Sequence, residues 1–430
     1  MQAVIPVRPS DCTPGPDTLI CGIPLLERVI LTAVRSGCTE VLLICPPSTP
    51  AAGLRPLLNA LKLERVPVDT VEFVVPFDEA DAGQWRSLSP YLQDTFLWIP
   101  WGYIPYRHPL SEMIARAAAR PLASVRFACP DVDAATLLER PIVLAKASLT
   151  GADSDRLECV LCDSKPGFLL QSPASTCDAE RALVRHSGKA SDGLFSRFNR
   201  KLCWPAVRGL SHTRITPNAV SFAGLAVAIF SGLLFASGGW LNEVAGALVF
   251  FVSGLFDEID GMLARLKFEE SAFGTWLETM IDYTTYLIIF AGMTVAGYRR
   301  HGAEYLVLGI ALVAGSILSF WVISIQRRLA APAGRPGDYS PRYLKALEND
   351  NRNPISSSVR LLQFLTRKGV LMHYLVAFAI VGLLPVFFVL SSLGANIAWM
   401  VTIYLNARLF SGNARVASPT HTEVPLGVKQ

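Results

Sequence analysis

The sequence from Asp257 to Asp282 reads DEIDGMLARLKFEESAFGTWLETMID, and the rest of the chain is organised around it. On a helix, Asp257 and Asp260 are three residues apart, so their carboxylates share one face. Gly274, Glu278 and Asp282 follow at intervals of four residues and share a face in the same way. The stretch therefore predicts two helices whose acidic faces converge on one pocket.

The residue types in this pocket indicate a metal site. Carboxylates that lie close together repel one another and take up protons unless a cation shares the site. Oxygen-only ligands favour a hard divalent cation, Mg²⁺ first and Mn²⁺ second. Gly261 and Gly274 leave room for a ligand at the helix backbone. The alternative without a ligand is a helix hairpin at a membrane surface, in which Arg265 and Lys267 pair with some of the acids.

This stretch resembles the signature of the CDP-alcohol phosphatidyltransferase family. That signature runs Asp, two residues, Asp-Gly, two residues, Ala-Arg, eight residues, Gly, three residues, Asp, three residues, Asp. The positions that match in type and spacing are Asp257, Asp260, Gly261, Ala264, Arg265, Gly274 and Asp282. The family's third aspartate is Glu278 here, which keeps the charge and adds one methylene.

The resemblance implies a reaction in which an alcohol displaces CMP from a CDP-alcohol. It implies Mg²⁺ or Mn²⁺ ions held by the carboxylates of Asp257, Asp260, Glu278 and Asp282. Asp282 would also accept the proton of the attacking hydroxyl. The residues that would bind the CDP group are Asp257, Gly261, Ala264, Arg265 and Gly274.

The composition of the second half of the chain predicts a membrane domain. Apolar residues make up 51% of the sequence and charged residues 17%, which is unusual for a soluble protein. The apolar runs that suit a bilayer lie at residues 219–236, 244–256, 276–295, 305–325, 370–390 and 395–409. The second run is short, but its helix is expected to continue through the acidic motif. We therefore predict an all-α domain of six spans at residues 218–411, the family's usual number, and a polar tail at residues 412–430.

Residues 1–185 predict an α/β domain of the doubly wound type. Strand-like apolar runs lie at residues 3–7, 39–45, 71–75, 95–99 and 141–145, and helical patterns at residues 23–34 and 55–63. Alternation of strands and helices favours a sheet with helices on both faces. Because residues 1–10 contain no apolar core of useful length for a secretory signal, we expect this domain to stay in the cytosol.

This first half is similar to the sugar-phosphate nucleotidyltransferase family. The similarity lies in the turn from Cys21 to Leu25, which leads into the first long helix, and in a closing helix at residues 175–185. Proteins that join inositol-1-phosphate cytidylyltransferase to di-myo-inositol-phosphate-phosphate synthase have the same arrangement, and the junction at residues 191–200 is similar to theirs. The resemblance implies that the chain is a fusion of this type.

Two departures predict that this nucleotidyltransferase-like domain is not catalytic. Pro6, Arg8 and Pro9 stand after the first strand, where a phosphate-binding loop needs glycines. The strand that ends at Ile99 runs into Pro100, where the family has a metal-binding aspartate. A bifunctional enzyme with an active cytidylyltransferase is the alternative.

The linker at residues 186–217 is basic and carries interleaved apolar residues. Its cations include Arg197, Arg200 and Lys201, and Phe195 and Phe198 recur among them at helical spacing. This pattern predicts an amphipathic helix that lies on the anionic leaflet of the lipid bilayer. The adjacent spans argue against nucleic acid as the partner.

The distribution of basic residues predicts the orientation in the membrane. Most Arg and Lys residues of the second half fall in loops on the side of the N-terminus, so we expect a multi-pass protein of the cell (inner) membrane with a cytosolic first domain. Arg327, Arg328 and Arg360 are candidates for an acceptor-phosphate site, because Arg binds phosphate in a bidentate way. The alternative is that these three residues serve only as the topology signal.

The expected partners are a CDP-alcohol donor and an alcohol or polyol-phosphate acceptor, with a homodimer as an open question. The donor is either CDP-diacylglycerol or a water-soluble CDP-alcohol such as CDP-inositol. A membrane cation transporter is the rival function, and it predicts acids spread through the depth of the bundle. The first, fifth and sixth apolar runs carry none, which argues against the transporter.

Overall fold

The computed structural model describes residues 1–8, 14–46, 67–73, 77–79, 81–119, 125–126, 141–145, 167–170, 172, 175–188, 194–330 and 368–410. The chain divides into two compact units. The first unit consists of Met1–Ala190, Trp204–Ile215 and Met262–Glu269. The second unit consists of Ser191–Cys203, Thr216–Gly261 and Glu270–Gln430.

The first unit contains a six-stranded sheet. The strands of this unit are β1 (Gln2–Pro6), β2 (Leu19–Ile20), β3 (Ile23–Pro24), β4 (Glu40–Cys45), β5 (Val68–Glu72), β6 (Thr95–Trp98), β7 (Tyr103–Pro105), β8 (Val125–Arg126), β9 (Ile142–Ala145) and β10 (Gly167–Leu169). The order in the sheet is β5-β4-β1-β6-β9-β8, with β2-β3 and β10-β7 as separate antiparallel pairs. The neighbours from β5 to β6 are parallel, whereas β9 and β8 join antiparallel. The predicted α/β class is confirmed, and the parallel part is limited to four strands.

The helices of the first unit are α1 (Leu25–Ser36), α2 (Ala82–Leu88), α3 (Arg107–Ala118) and α4 (Thr176–His186). Both faces of the sheet are buried. Val4 and Trp98 pack with Trp85 of α2 on one face, and Ala3 and Ile5 are buried on the other. The first helix begins two residues later than predicted, because Ile23–Pro24 pairs with β2. The helix predicted at residues 55–63 lies outside the described residues.

The remaining helices are α5 (Leu194–Ser211), α6 (Pro217–Ser237), α7 (Trp240–Lys267), α8 (Ala272–His301), α9 (Ala303–Ala330), α10 (Lys368–Ile380) and α11 (Leu384–Phe410). Among the described residues, four segments are long and apolar enough to cross a membrane: Pro217–Ser237, Ala272–His301, Ala303–Ile325 and Leu384–Leu405. The described part of α10 is shorter. As predicted, α7 continues from its apolar part through the acidic motif. The predicted number of six spans stays a prediction.

The predicted boundary between the fifth and sixth apolar runs is wrong. The break was expected at residues 391–394, but α10 ends at Ile380 and α11 runs on through those positions. Gly382 has a φ of 77° and donates to the Ala379 carbonyl, and Leu383 donates to the Phe378 carbonyl. These bonds form a Schellman motif, which commonly ends a helix at a glycine. Gly382, with Pro385 in the first turn of the next helix, was the signal in the sequence.

Small residues let the helices of the second unit approach closely. A Cβ on Gly292 of α8 would lie 2.4 Å from the carbonyl oxygen of Gly232 in α6. The hydroxyl groups of Ser231 and Ser253 donate to carbonyls of the neighbouring helix, at Gly246 and Gly224. Such contacts are typical of helix packing in membranes. They fix α6, α7 and α8 against one another, and these three helices carry the candidate site.

Candidate active site

The two halves of the acidic motif lie on two consecutive helices, as predicted. Asp257 and Asp260 are on α7, and Glu278 and Asp282 are on α8. The second helix begins at Ala272, and the hydroxyl of its N-cap residue, Ser271, accepts a hydrogen bond from the Gly274 N–H at 2.9 Å. This N-cap satisfies one of the free N–H groups of the first turn and fixes where α8 begins.

The acids differ in their surroundings. Asp260 is buried, and the Ser221 hydroxyl of α6 donates a hydrogen bond to its carboxylate. Asp257, Glu278 and Asp282 are half-buried. A buried carboxylate needs a hydrogen-bond donor or a cation to stay charged at moderate cost. Ser221 supplies such a donor, so α6 contributes to the site although the signature does not include it.

Two of the acids, one from each helix, lie near the same tyrosine. The carboxylates of Asp257 and Asp282 both act electrostatically on the hydroxyl group of Tyr286. Tyr286 is one turn beyond Asp282 on α8, so its side chain continues the same helical face. The structure therefore brings the outer members of the motif to one region of the second unit.

The acidic side chains of the motif are not grouped as the ligands of a metal ion in this structure. Among the residues that the structure describes, no three Asp, Glu, His or Cys side chains are grouped so that they could hold a metal ion. The chemistry of the donor set nevertheless fits Mg²⁺ or Mn²⁺, because all four side chains offer carboxylate oxygens only. The convergence of Asp257, Asp260, Glu278 and Asp282 on one cation stays a prediction.

Gly274, the glycine of the acidic motif on α8, lies beside a polar residue of α6. A Cβ on Gly274 would lie 3.1 Å from the Ser271 hydroxyl oxygen and 3.6 Å from the Asn218 side-chain oxygen. Asn218 and Ser221 are both on the first turns of α6, Asn218 just before the apolar run at residues 219–236 and Ser221 within it. Asn218 was not among the site residues predicted from the sequence. The signal was the occurrence of polar side chains at the entry of a span, where they are functional by default.

An ion pair supports α7 next to its first aspartate. The Arg200 Nε of α5 donates to the Glu258 carboxylate at 2.9 Å, and the two side chains are 10% and 15% exposed. Glu258 follows Asp257 directly on α7. The Asn199 amide of α5 donates to the Gly369 carbonyl at 3.4 Å. Sequence reasoning counted Arg200 as a lipid-facing cation, and the structure shows that it is buried instead.

The remaining predicted site residues fall elsewhere. Ala264 and Arg265 belong to the first unit, where the Arg265 Nε donates to the Ser187 carbonyl. Arg327 and Arg328 lie on the last turn of α9, but the structure does not describe their side chains. Arg360 lies outside the described residues. CDP binding by Gly261, Ala264, Arg265 and Gly274, and acceptor binding by the three arginines, stay predictions.

Comparison with known proteins finds a family model that matches part of the second half. Residues 214–346 match the family model described as CDP-alcohol phosphatidyltransferase. A protein of Aquifex aeolicus, named bifunctional IPC transferase and DIPP synthase, is 21% identical over 263 residues, which are 60% of this chain and 55% of that protein. The similarity to fused proteins predicted from the sequence is therefore confirmed.

Two shorter relatives match part of the chain. The archaetidylinositol phosphate synthase of Methanothermobacter thermautotrophicus is 33% identical over 79 residues, 18% of this chain and 39% of that protein. The phosphatidylinositol phosphate synthase of Mycobacterium bovis is 28% identical over 122 residues, 28% of this chain and 55% of that protein. The chain thus spans about half the length, or less, of these curated relatives.

Proposed function

We propose that this chain, whose residues 214–346 form a CDP-alcohol phosphatidyltransferase domain, transfers the phosphoalcohol group of a CDP-alcohol to a second alcohol and releases CMP. The observation that carries the proposal is the placement of the acidic motif on two consecutive helices, with Asp257 and buried Asp260 on α7 and Glu278 and Asp282 on α8, and with the Ser221 hydroxyl bonded to Asp260. Two helices that present carboxylates to one region can bind a charged diphosphate only with the help of a cation. This requirement links the acidic site to a nucleotide diphosphate substrate.

The reaction exchanges one P–O bond for another. The acceptor oxygen bonds to the phosphorus that carries the donor's alcohol, and the bond from that phosphorus to the CMP oxygen breaks. When Mg²⁺ is bound, it neutralises the diphosphate and stabilises the leaving CMP. The protein's own contribution is to position the groups, to hold the ligand carboxylates and to accept a proton.

The four acids have two tasks in this proposal. Asp257, Asp260 and Glu278 would hold the cation, and Asp282 would accept the proton of the attacking hydroxyl. The hydrogen bond from Ser221 orients the Asp260 carboxylate. Glu278 reaches the cation with one more methylene than the aspartate of the family, and a glutamate can also bind in a bidentate way.

The acceptor is an inositol phosphate in our proposal. The archaeal and mycobacterial relatives are named for the synthesis of inositol-phosphate lipids. The Aquifex relative, whose match of 263 residues is longer than the second half of the chain, is named as a bifunctional IPC transferase and DIPP synthase. These names leave two donors to compare, CDP-diacylglycerol and CDP-inositol. The basic loop with Arg327, Arg328 and Arg360 is the candidate for the acceptor phosphate.

The proposed membrane placement has six spans and a cytosolic N-terminus in the inner membrane. The exposed face of α5 supports it, because Leu194, Phe198 and Leu202 are 48–80% exposed there and Arg197 and Lys201 are exposed beside them. An apolar stripe bordered by cations suits the boundary between headgroups and acyl chains. This placement would put α5 on the cytosolic leaflet, on the side where CDP-linked donors and Mg²⁺ are available.

The test is CMP release by the purified full chain with Mg²⁺, each donor, and inositol 1-phosphate or glycerol 3-phosphate as acceptor. We expect release with one donor-acceptor pair, and we expect EDTA, Asp257→Asn or Asp260→Asn to abolish it. Glu304→Gln is the matched control, since Glu304 is an exposed acid on the first turn of α9 in the same unit. Undiminished release in EDTA would contradict the metal site, and no release with any pair would contradict the proposed function.

A further inference from the structure

The turn from Cys21 to Leu25, which the transferase chemistry does not use, lies next to two helix ends of the first unit. This unit contains the last residues of α5, within Trp204–Ile215, and the last residues of α7, within Met262–Glu269. Contacts of the turn, α1 and α4 with these helix ends are therefore contacts inside one compact unit. Three side chains that make such contacts are Arg28, Phe268 and Glu180.

Arg28 of α1 binds the C-terminal end of α7. It is 2% exposed, its Nε donates to the Ile20 carbonyl at 3.1 Å, and its Nη2 donates to the Leu266 carbonyl at 3.1 Å. The Leu266 carbonyl is among the last four of the helix, which no helical N–H group satisfies. A cation at this negative end of the helix dipole is favourable. Burial lowers the pKa of Arg28, but a guanidinium keeps its charge in proteins.

Phe268 completes the contact in a conformation that is unusual for its residue type. The Glu269 N–H donates to the Ala264 carbonyl at 3.0 Å, so α7 ends in a Schellman motif with Phe268 at the position that normally holds glycine. The φ of Phe268 is 58°, which is unfavourable for a bulky side chain. The Phe268 ring centroid lies 5.4 Å from the Arg28 Cζ, in a cation–π contact. The strained residue therefore covers the buried cation.

Glu180 of α4 binds the end of α5 in a similar way. It is 4% exposed and accepts from the Cys21 N–H at 3.0 Å and from the Arg208 Nε at 3.1 Å, and the His212 Nε2 lies 3.0 Å from it. Gly22 has a φ of 77°, and a Cβ there would lie 2.4 Å from the Ser211 carbonyl oxygen. The turn thus packs directly on the backbone of the last turn of α5.

We propose that the first unit is a clamp in which Arg28 and Glu180 hold the ends of α7 and α5, and that the clamp positions Asp257 and Asp260 for the transfer reaction. Leu266 is six residues beyond Asp260 on one continuous helix, so a displaced helix end moves the carboxylates with it. Arg28 and Glu180 are positioning residues that act through α7 and α5. The inference rests on the proposed function for its effect on catalysis, but the clamp itself can be tested without it.

The experiment compares Arg28→Met with the wild-type full chain by hydrogen exchange and by CMP release. We expect faster exchange of the amides at residues 262–269, and a kcat that is about 10- to 100-fold lower, the loss typical when a group that orients a ligand is removed. The KM for the donor should change less than kcat. Arg181→Met is the matched control, because Arg181 forms an exposed ion pair with Asp178 on α4 of the same unit, and it should change neither readout.

Phe268→Gly separates a positioning role from a purely structural one. Glycine suits the left-handed turn, so this variant should be no less stable to heat than the wild type. The clamp nevertheless predicts a lower kcat, because the ring over Arg28 is lost. If Arg28→Met does not accumulate, Arg28→Lys replaces it, since a lysine keeps the charge but offers no fork to reach both carbonyls.

The outcomes separate the two proposals. Unchanged exchange at residues 262–269 in the Arg28 variant would overturn the clamp, whatever the activity. Faster exchange with an unchanged kcat would overturn the positioning role and leave a structural contact. A wild-type chain that releases no CMP with any donor would reject the proposed function and the positioning role together, while the exchange experiment would still decide whether the clamp exists.

Discussion

Asp282 lies one helical turn after Glu278, and this spacing separates two tasks on one helix face. A carboxylate that only accepts a proton contributes to the chemical step, whereas a metal ligand also contributes to donor binding. We predict that Asp282→Asn lowers kcat by about 10²- to 10⁴-fold, the usual loss for a general base, with a smaller change in donor affinity. Initial rates of CMP release over a range of donor concentrations measure both quantities. An equal loss in donor binding would make Asp282 a metal ligand.

The spacing of the motif predicted its helical faces, but the side chains that support them were not predictable in the same way. Ser221 meets Asp260, and Arg200 meets Glu258, across 39 and 58 residues of sequence. No local pattern relates residues so far apart, because the contact depends on how helices cross. Polar residues inside apolar segments were the available signal, and it indicates importance without naming the partner.

At the scale of elements, the crossing of α6 and α8 depends on Gly292. A Cβ there would lie 2.4 Å from the Gly232 carbonyl oxygen, and backbone cannot move aside as a flexible side chain can. We predict that Gly292→Ala destabilises the protein by about 1–3 kcal/mol, the usual cost of overpacking. Thermal unfolding in detergent measures the effect. Gly394→Ala on α11 is the control, since nothing lies within 4 Å of its Cβ position, and an equal loss there would contradict the packing argument.

The existence of a helix was predicted well from the length of its apolar run. The residues at which a helix begins and ends were predicted poorly, because capping residues determine them. The run at residues 276–295 became Ala272–His301, because caps extend a helix beyond its apolar part. The break at Gly382 was missed because apolar residues continue on both sides of it, so hydropathy shows no interruption. A glycine that adopts φ > 0 ends the helix at little cost, and this backbone preference outweighs the apolar continuity.

At the scale of the whole molecule, the sequence predicted a first domain at residues 1–185, a linker at residues 186–217 and a membrane domain at residues 218–411. The first compact unit differs, because it also includes Trp204–Ile215 from the linker and Met262–Glu269 from the membrane domain. The ends of α5 and α7 group with the α/β sheet because Arg28 and Glu180 bind them. The turn that resembles a nucleotidyltransferase predicted a nucleotidyltransferase-like domain in a fused protein. The contact of this turn with the ends of α5 and α7 depends on tertiary packing. A resemblance to nucleotidyltransferases, which are separate enzymes, gives no information about that packing.

The same resemblance leads to our last prediction, that the chain transfers no cytidylyl group from CTP. Pro6 ends β1 and Arg8 follows, where close approach of phosphate requires glycines and free N–H donors. Past the end of β6, the Trp101 indole donates to the Pro14 carbonyl at 2.9 Å, so the turn that should present a metal-binding carboxylate presents a ring bonded to the main chain. Nucleotidyl transfer without phosphate binding or charge neutralisation has little left to accelerate it.

The full chain is incubated with CTP, Mg²⁺ and a panel of sugar and polyol phosphates, and pyrophosphate is measured. We expect none above background, although the same preparation releases CMP from its CDP-alcohol. The Asp282→Asn variant is assayed in parallel, because its slower transfer step should let a newly made CDP-alcohol accumulate. Pyrophosphate that depends on both CTP and an added phosphate, in both proteins, would show a second active site in the first unit. The clamp would then belong to a bifunctional enzyme, in which one unit makes the donor and the other consumes it.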